Sequence, residues 1–222
     1  MANKSVWSDN RFWARSAAWI SGFASVLLIW LTFDTSMQIS MGTDEDLKNG
    51  VTKRVPSPTV INYKVTYEMS TKRGHEVPVI GDKEKFFGRD DWTPEEAGDL
   101  LHLGKLASQT KNCMNCHTLL GNGAYYAPDL TKAWLDPAWN NGQMTGMIAG
   151  MLGKESMTKE EAMSEFLQHP SKYPTHARMM PNLGITEKEA KGLVVFLKHM
   201  SSIDTNGFPR NFGKMQGAVN GK

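Results

Sequence analysis

The stretch KNCMNCHTLLGNGAYYAPDL, residues 111–130, holds the only two cysteines of the chain, Cys113 and Cys116, with His117 directly after the second. Two cysteines separated by two residues serve three different chemistries: a redox disulfide, half of a zinc site, or a covalent anchor for a porphyrin. The surroundings decide among them. A thioredoxin-like pair needs a βαβ context and a helix N-terminus that lowers a thiol pKa; here the pair follows a helix-forming stretch and no parallel-sheet pattern encloses it. Zinc would need a fourth ligand beyond Cys113, Cys116 and His117. No second cluster stands at a zinc-like spacing, and adjacent ligands at 116 and 117 are sterically awkward.

C-x-x-C-H is the attachment sequence of c-type haem, and that chemistry explains each fixed position. Two thiols at short spacing reach the two vinyl groups on one porphyrin edge, and the adjacent histidine brings an imidazole nitrogen to the iron. One haem c, held by Cys113 and Cys116 with His117 as an axial ligand, is the expectation. Two cysteines in one motif also exclude a disulfide-stapled scaffold.

Upstream, WARSAAWISGFASVLLIWLTF (13–33) carries its last charge at Arg15. A helix of that length spans about 30 Å, the hydrocarbon thickness of a bilayer. Trp13, Trp19 and Trp30 lie towards its ends, where indoles favour the interface. Lys4, Arg11 and Arg15 precede it, while Asp34, Asp44, Glu45 and Asp46 follow. The positive-inside bias therefore places residues 1–12 in the cytoplasm and the chain after 33 outside it. A cleaved signal peptide is the alternative, disfavoured because no A-x-A-like site follows Phe33. Either way the cysteine motif is exported, to the compartment where haem c is attached.

Composition adds little. The 222 residues are 40% hydrophobic and 22% charged with a net charge of +2, so nothing points to nucleic acid. Residues 34–57 read as a polar linker. From Thr59, TVINYKVTYEM alternates: Ile61, Tyr63, Val65, Tyr67 and Met69 share one face of a strand. TKRG (71–74) reads as a turn and HEVPVI as a return strand, Pro78 marking an edge. Segment 58–92 is thus an inserted hairpin. Thr93-Pro94-Glu95-Glu96 starts a helix with a buried face of Leu100, Leu103, Leu106 and Ala107. Shorter helices are expected over 142–152 and 158–168. Thr186 to Glu189 is a second capping box, opening a closing helix with Leu193, Val194, Phe196, Leu197 and Met200 on one stripe. The expected fold is all-α, with a haem domain over 93–205 and a tail over 206–222.

Fourteen methionines compete for the opposite face of the iron. Met144, Met147 and Met151, and likewise Met163 and Met200, fall on helical stripes and suit packing. In HARMMPNLGIT (176–186), Met179 and Met180 precede Pro181, which disfavours helix there. Met180 is the first choice for the axial thioether, Met179 the second and His176 the third. His/Met ligation fills both axial positions, which favours electron transfer over catalysis.

With NCMNCHTLLGNGAYYAPDL (112–130) and ARMMPNLGITEKEAKGLVVFLKHMSSIDTNGFPRN (177–211) in view, the chain resembles the small cytochrome c subunit of bacterial nitric oxide reductase. CMNCH alone says only c-type cytochrome; HTLLGNGAYYAPDL and SSIDTNGFPRN are far more specific. The resemblance implies a class I cytochrome c fold with His117 and Met180 as axial ligands. It implies a place in denitrification beside a large polytopic catalytic subunit, whose haem b and non-haem iron reduce two NO to N2O and water. Electrons would come from a soluble cytochrome c or cupredoxin, and no NO-reducing site would lie on this chain. It further implies a calcium ion at the subunit interface, with Gly123 and Tyr125 in the family's Gly-x-Tyr positions. The hairpin segment and the stretch 134–169 are longer than the resemblance leads one to expect. A free-standing anchored cytochrome, the cytochrome subunit of another haem-copper oxidase, and a ligand sensor or peroxidase are the competing functions.

Overall fold

The structure, a computed structural model, describes residues 7, 9–41, 57–173 and 179–209. Helix α1, Asn10–Met41, is long and apolar enough to cross a membrane, and none of its apolar window is buried against the rest of the protein. Trp19 and Trp30 stand exposed on it. It runs past Phe33, so the first residues of the expected linker are helical.

The expected hairpin is present as β1, Tyr63–Ser70, antiparallel to β2, His75–Lys83, with Tyr67 opposite Pro78. Its alternation is weaker than the sequence pattern. Ile61 belongs to a 3-10 turn (Pro58–Asn62) and is fully buried. Val65 and Val77 are buried, but Tyr63 and Met69 are exposed. A two-stranded sheet covers the domain with only part of one face, so the outer members of the stripe lie in water. The hairpin is tied down elsewhere: Tyr67 Oη donates to the Ile203 carbonyl at 3.1 Å, and Arg73 pairs with the buried Asp204 carboxylate.

Helix α2, Pro94–Thr110, starts with the expected reciprocal cap between Thr93 and Glu96. Its buried residues are Ala97, Gly104, Ala107 and Ser108, whereas Leu106 is exposed and Leu100 and Leu103 are half-buried. The large side chains mark a face rotated from the one that packs; the true contact is the small-residue seam against the closing helix α6, Glu187–Ser201. There the Gly192 backbone comes so close that a Cβ on Gly104 would collide with its carbonyl.

Between α2 and α6 lie α3 (Pro137–Asn140), α4 (Gln143–Met151) and α5 (Lys159–Gln168), α5 opening on a further Thr158/Glu161 capping box. Helix α6 carries the third such box, Thr186/Glu189, and buries Leu193, Val194, Leu197 and Met200 as its stripe requires. The main core joins Ile61, Phe86, Ala97, Trp134, Met163, Val194, Val195 and Leu197. The insertion thus shares one apolar core with the helical domain. Met144 and Met163 are buried in packing roles, and Met151 is exposed at the end of α4.

Candidate haem site

At the end of α2 the chain reverses through Asn112, whose positive φ of 53° places it in the left-handed region that asparagine tolerates. A 3-10 turn over Cys113–Asn115 follows, closed by Cys116 and His117 amides donating to the Cys113 carbonyl at 3.2 and 3.0 Å. Both thiols are free and half-buried. Burial raises the Cys113 pKa, the opposite of what a redox thiolate needs.

A tight hairpin then folds back under the motif. Strands β3 (Thr118–Leu119) and β4 (Asn122–Gly123) pair across Leu120 and Gly121, both at positive φ. Gly123, at φ 122°, lies so close to the His117 carbonyl that a Cβ would strike it, so this position demands glycine. The Ala124 amide donates to Met114 O at 3.0 Å and the Ala127 amide to Cys116 O at 2.8 Å, stitching the return strand to the motif.

His117 Nδ1 lies 2.7 Å from the Pro128 carbonyl oxygen. A carbonyl can only accept, so Nδ1 carries the proton and Nε2 keeps its lone pair. Imidazoles that ligate metals are oriented in this way. Asp129 anchors the same segment, accepting from Thr118 Oγ1 at 2.6 Å and from the Thr131 amide at 2.8 Å. Two free thiols and a ligand-ready imidazole nitrogen on one rigid turn fit the donor set of haem c.

The candidate distal residues sit on the segment that enters α6. Met180 is half-buried against a cluster containing Ala107, Ile185, Ala190 and Leu193, while Met179 is 59% exposed. That difference favours the first choice over the second. His176 lies outside the described residues. Lys111, just before the motif, ties the two sides together: its Nζ donates to Gly184 O at 3.0 Å and lies 3.4 Å from Glu189. Gly123 and Tyr125 occupy the same turn, with Tyr125 Oη donating to Gly121 O at 3.1 Å and its ring 82% exposed. Among the described residues no group of three His, Cys, Asp or Glu side chains is placed to hold a metal ion.

Sequence reasoning did not find the Pro128 carbonyl, Asn112 or Lys111. Pro128 and Asp129 lay within the quoted stretch, but a main-chain acceptor leaves no mark in residue identity.

A family profile described as cytochrome c matches residues 101–201. The small cytochrome c subunit of nitric oxide reductase from Stutzerimonas stutzeri is 32% identical over 116 residues, covering 52% of this chain and 68% of that protein. The chain belongs to the family of small nitric oxide reductase subunits. Its counterpart from Cereibacter sphaeroides (strain ATCC 17025 / ATH 2.4.3) is 29% identical over 113 residues, covering 51% and 68% of the two chains. That of Paracoccus denitrificans is 30% identical over 118 residues, covering 49% and 63%. Membership makes this small subunit an electron-transfer cytochrome whose domain carries covalent haem c, and α1 fits a single-pass anchor for it.

Proposed function

We propose that this chain is the anchored monohaem cytochrome of a nitric oxide reductase. It takes electrons from a soluble cytochrome c or cupredoxin and delivers them to a large polytopic subunit with haem b and non-haem iron. NO is reduced to N2O and water on that subunit, not here. The observation that carries the reading is the His117–Pro128 hydrogen bond, which presents Nε2 from the same turn as the two thiols.

In this proposal Cys113 and Cys116 form the thioether links, and His117 and Met180 are the axial ligands. Haem supplies a one-electron couple when bound. The protein's own part is to fix the imidazole through Pro128, to seat Met180 against α2 and α6, and to leave no open axial position for substrate. Domain limits of 93–205 for the haem unit and 58–92 for the insertion accompany the proposal. So does an inner-membrane topology with a cytoplasmic N-terminus and a periplasmic domain, which the charges around α1 support. A calcium ion near Gly123 and Tyr125 would need most of its oxygen ligands from backbone and from the partner subunit.

Isolation in mild detergent tests the assembly: co-purification with a haem b subunit is expected, and a fully stable lone chain would contradict it. Cys113→Ala should deplete the haem-stained band on a denaturing gel. Met180→Ala should keep haem attached yet abolish the methionine-to-iron band and admit CO to the ferrous form. An unchanged spectrum would remove Met180 from the ligand set.

A further inference from the structure

A cleft of about 560 Å³ opens between the inserted hairpin and the helical domain, far from the cysteine motif in sequence on both walls. One wall is β1 and β2; the other is the segment around Trp134 and the start of α5. Its volume lies within the range of sites that take small molecules.

Lys132 is the unusual member. Only 3% of the residue is exposed, yet among the described residues its ammonium has no hydrogen-bond acceptor. Its one close neighbour is the Tyr67 ring, 4.1 Å from Nζ to the centroid. A ring face satisfies one side of an ammonium and leaves the N–H donors on the cleft side unused, a costly arrangement unless a ligand accepts from them. Lys159 adds a second cation: Nζ donates to Trp134 O at 3.0 Å and to Asn140 Oδ1 at 2.7 Å, so one of its three protons is left over. Lys64 and Lys85 stand exposed at the rim.

Carboxylates also line the cleft, but two are committed. Glu84 is bonded to the buried Lys198 ammonium at 2.8 Å, and Glu160 accepts the Phe87 amide at 3.0 Å. Glu76 remains, against four lysines. The local field is cationic enough to register on Lys159, whose pKa is pushed down to about 8 by burial and then by Lys198.

The geometry points to a binding site for a small oxyanion, a carboxylate or phosphate group seated on Lys132 and Lys159, with any apolar body lying along Val65 and Leu135. An occupant there bridges the insertion and the helical domain and holds the hairpin in place. The site is independent of the haem reading.

Calorimetric titration of the full haem-loaded chain in detergent, at constant ionic strength, tests it with two probes, inorganic phosphate and succinate. Saturable binding of one or both is expected, and which probe binds assigns the ligand class. Loss of a charge-assisted hydrogen bond in Lys132→Met should weaken binding by roughly tenfold or more. Lys64→Ala, at an exposed position that leaves folding intact, should weaken it by a smaller factor, and Lys188→Met on α6 should not change it. No saturable binding of either anion down to about millimolar affinity overturns the proposal. So does binding that Lys132→Met and Lys64→Ala both leave untouched.

Discussion

Gly104 of α2 and Gly192 of α6 touch backbone to backbone where the two helices cross. A Cβ on Gly192 would stand 2.9 Å from the Gly104 nitrogen and 3.1 Å from the Leu100 carbonyl, and one on Gly104 would meet the Gly192 carbonyl itself. This crossing sets the distance between the helix that delivers the cysteine motif and the helix behind Met180.

Gly104→Ala should therefore destabilise the domain by about 3 kcal/mol, because the helices must separate and the core with them. Helix propensity alone would favour alanine by ~1 kcal/mol, so the two effects oppose each other and the clash dominates. Urea unfolding measures the difference. A midpoint equal to or above the wild type would mean that the crossing is looser than described.

Lys111 acts at the other end of α2. Lys111→Met removes the bond to Gly184 O and the pairing with Glu189, freeing the segment that carries Met180. Attached haem should be unaffected, while the methionine-to-iron band weakens and CO binds the ferrous form faster. If Met180→Ala loses the band and Lys111→Met keeps it in full, the tether has no bearing on the ligand.

Lys198 is fully buried on α6, bonded to Ile61 O and Glu84 and facing the rings of Phe86 and Trp134. Burial lowers its pKa, with Glu84 opposing. Removing one partner of such a pair leaves a charge in apolar surroundings, whereas removing the cation itself does not. Glu84→Gln should cost about 2–3 kcal/mol and Lys198→Met within about 1 kcal/mol. Comparable losses in both, by chemical denaturation, would contradict this account.

Lys159 links stability to pH. Its folded pKa of about 8 lies below the ordinary 10.5. Between those values the unfolded chain binds more protons, so stability rises with pH across that window. Burial raises the pKa of Tyr67, and that of Tyr173 to about 12. Unfolded tyrosines ionise near pH 10 and reverse the trend above it. Stability should climb by about 1–2 kcal/mol between pH 8 and 10. In Lys159→Met the climb should shrink; an unaltered slope would assign it to other groups.

Much of the helical plan was legible because each helix opens on its own local signal. Thr93/Glu96, Thr158/Glu161 and Thr186/Glu189 are capping boxes written within four residues, and all three form. The α6 stripe was equally plain, since a fully packed helix shows its face in its large side chains. On α2 the same logic chose Leu106, which is exposed. A close helix crossing selects small residues, and Gly104 is silent in a count of hydrophobics.

By itself the sequence determined the chemistry: C-x-x-C-H, the apolar segment before it and the capping boxes are local patterns whose meaning needs no distant residue. Only the tertiary structure decided how that chemistry is held. The proton on His117 Nδ1 is fixed by the Pro128 carbonyl, the burial of Met180 by α2 and α6, and the unsatisfied Lys132 by a hairpin some 60 residues upstream. Main-chain acceptors and long-range approaches depend on where the backbone passes, and residue identity records that path only where, as at Gly104 and Gly123, no side chain fits.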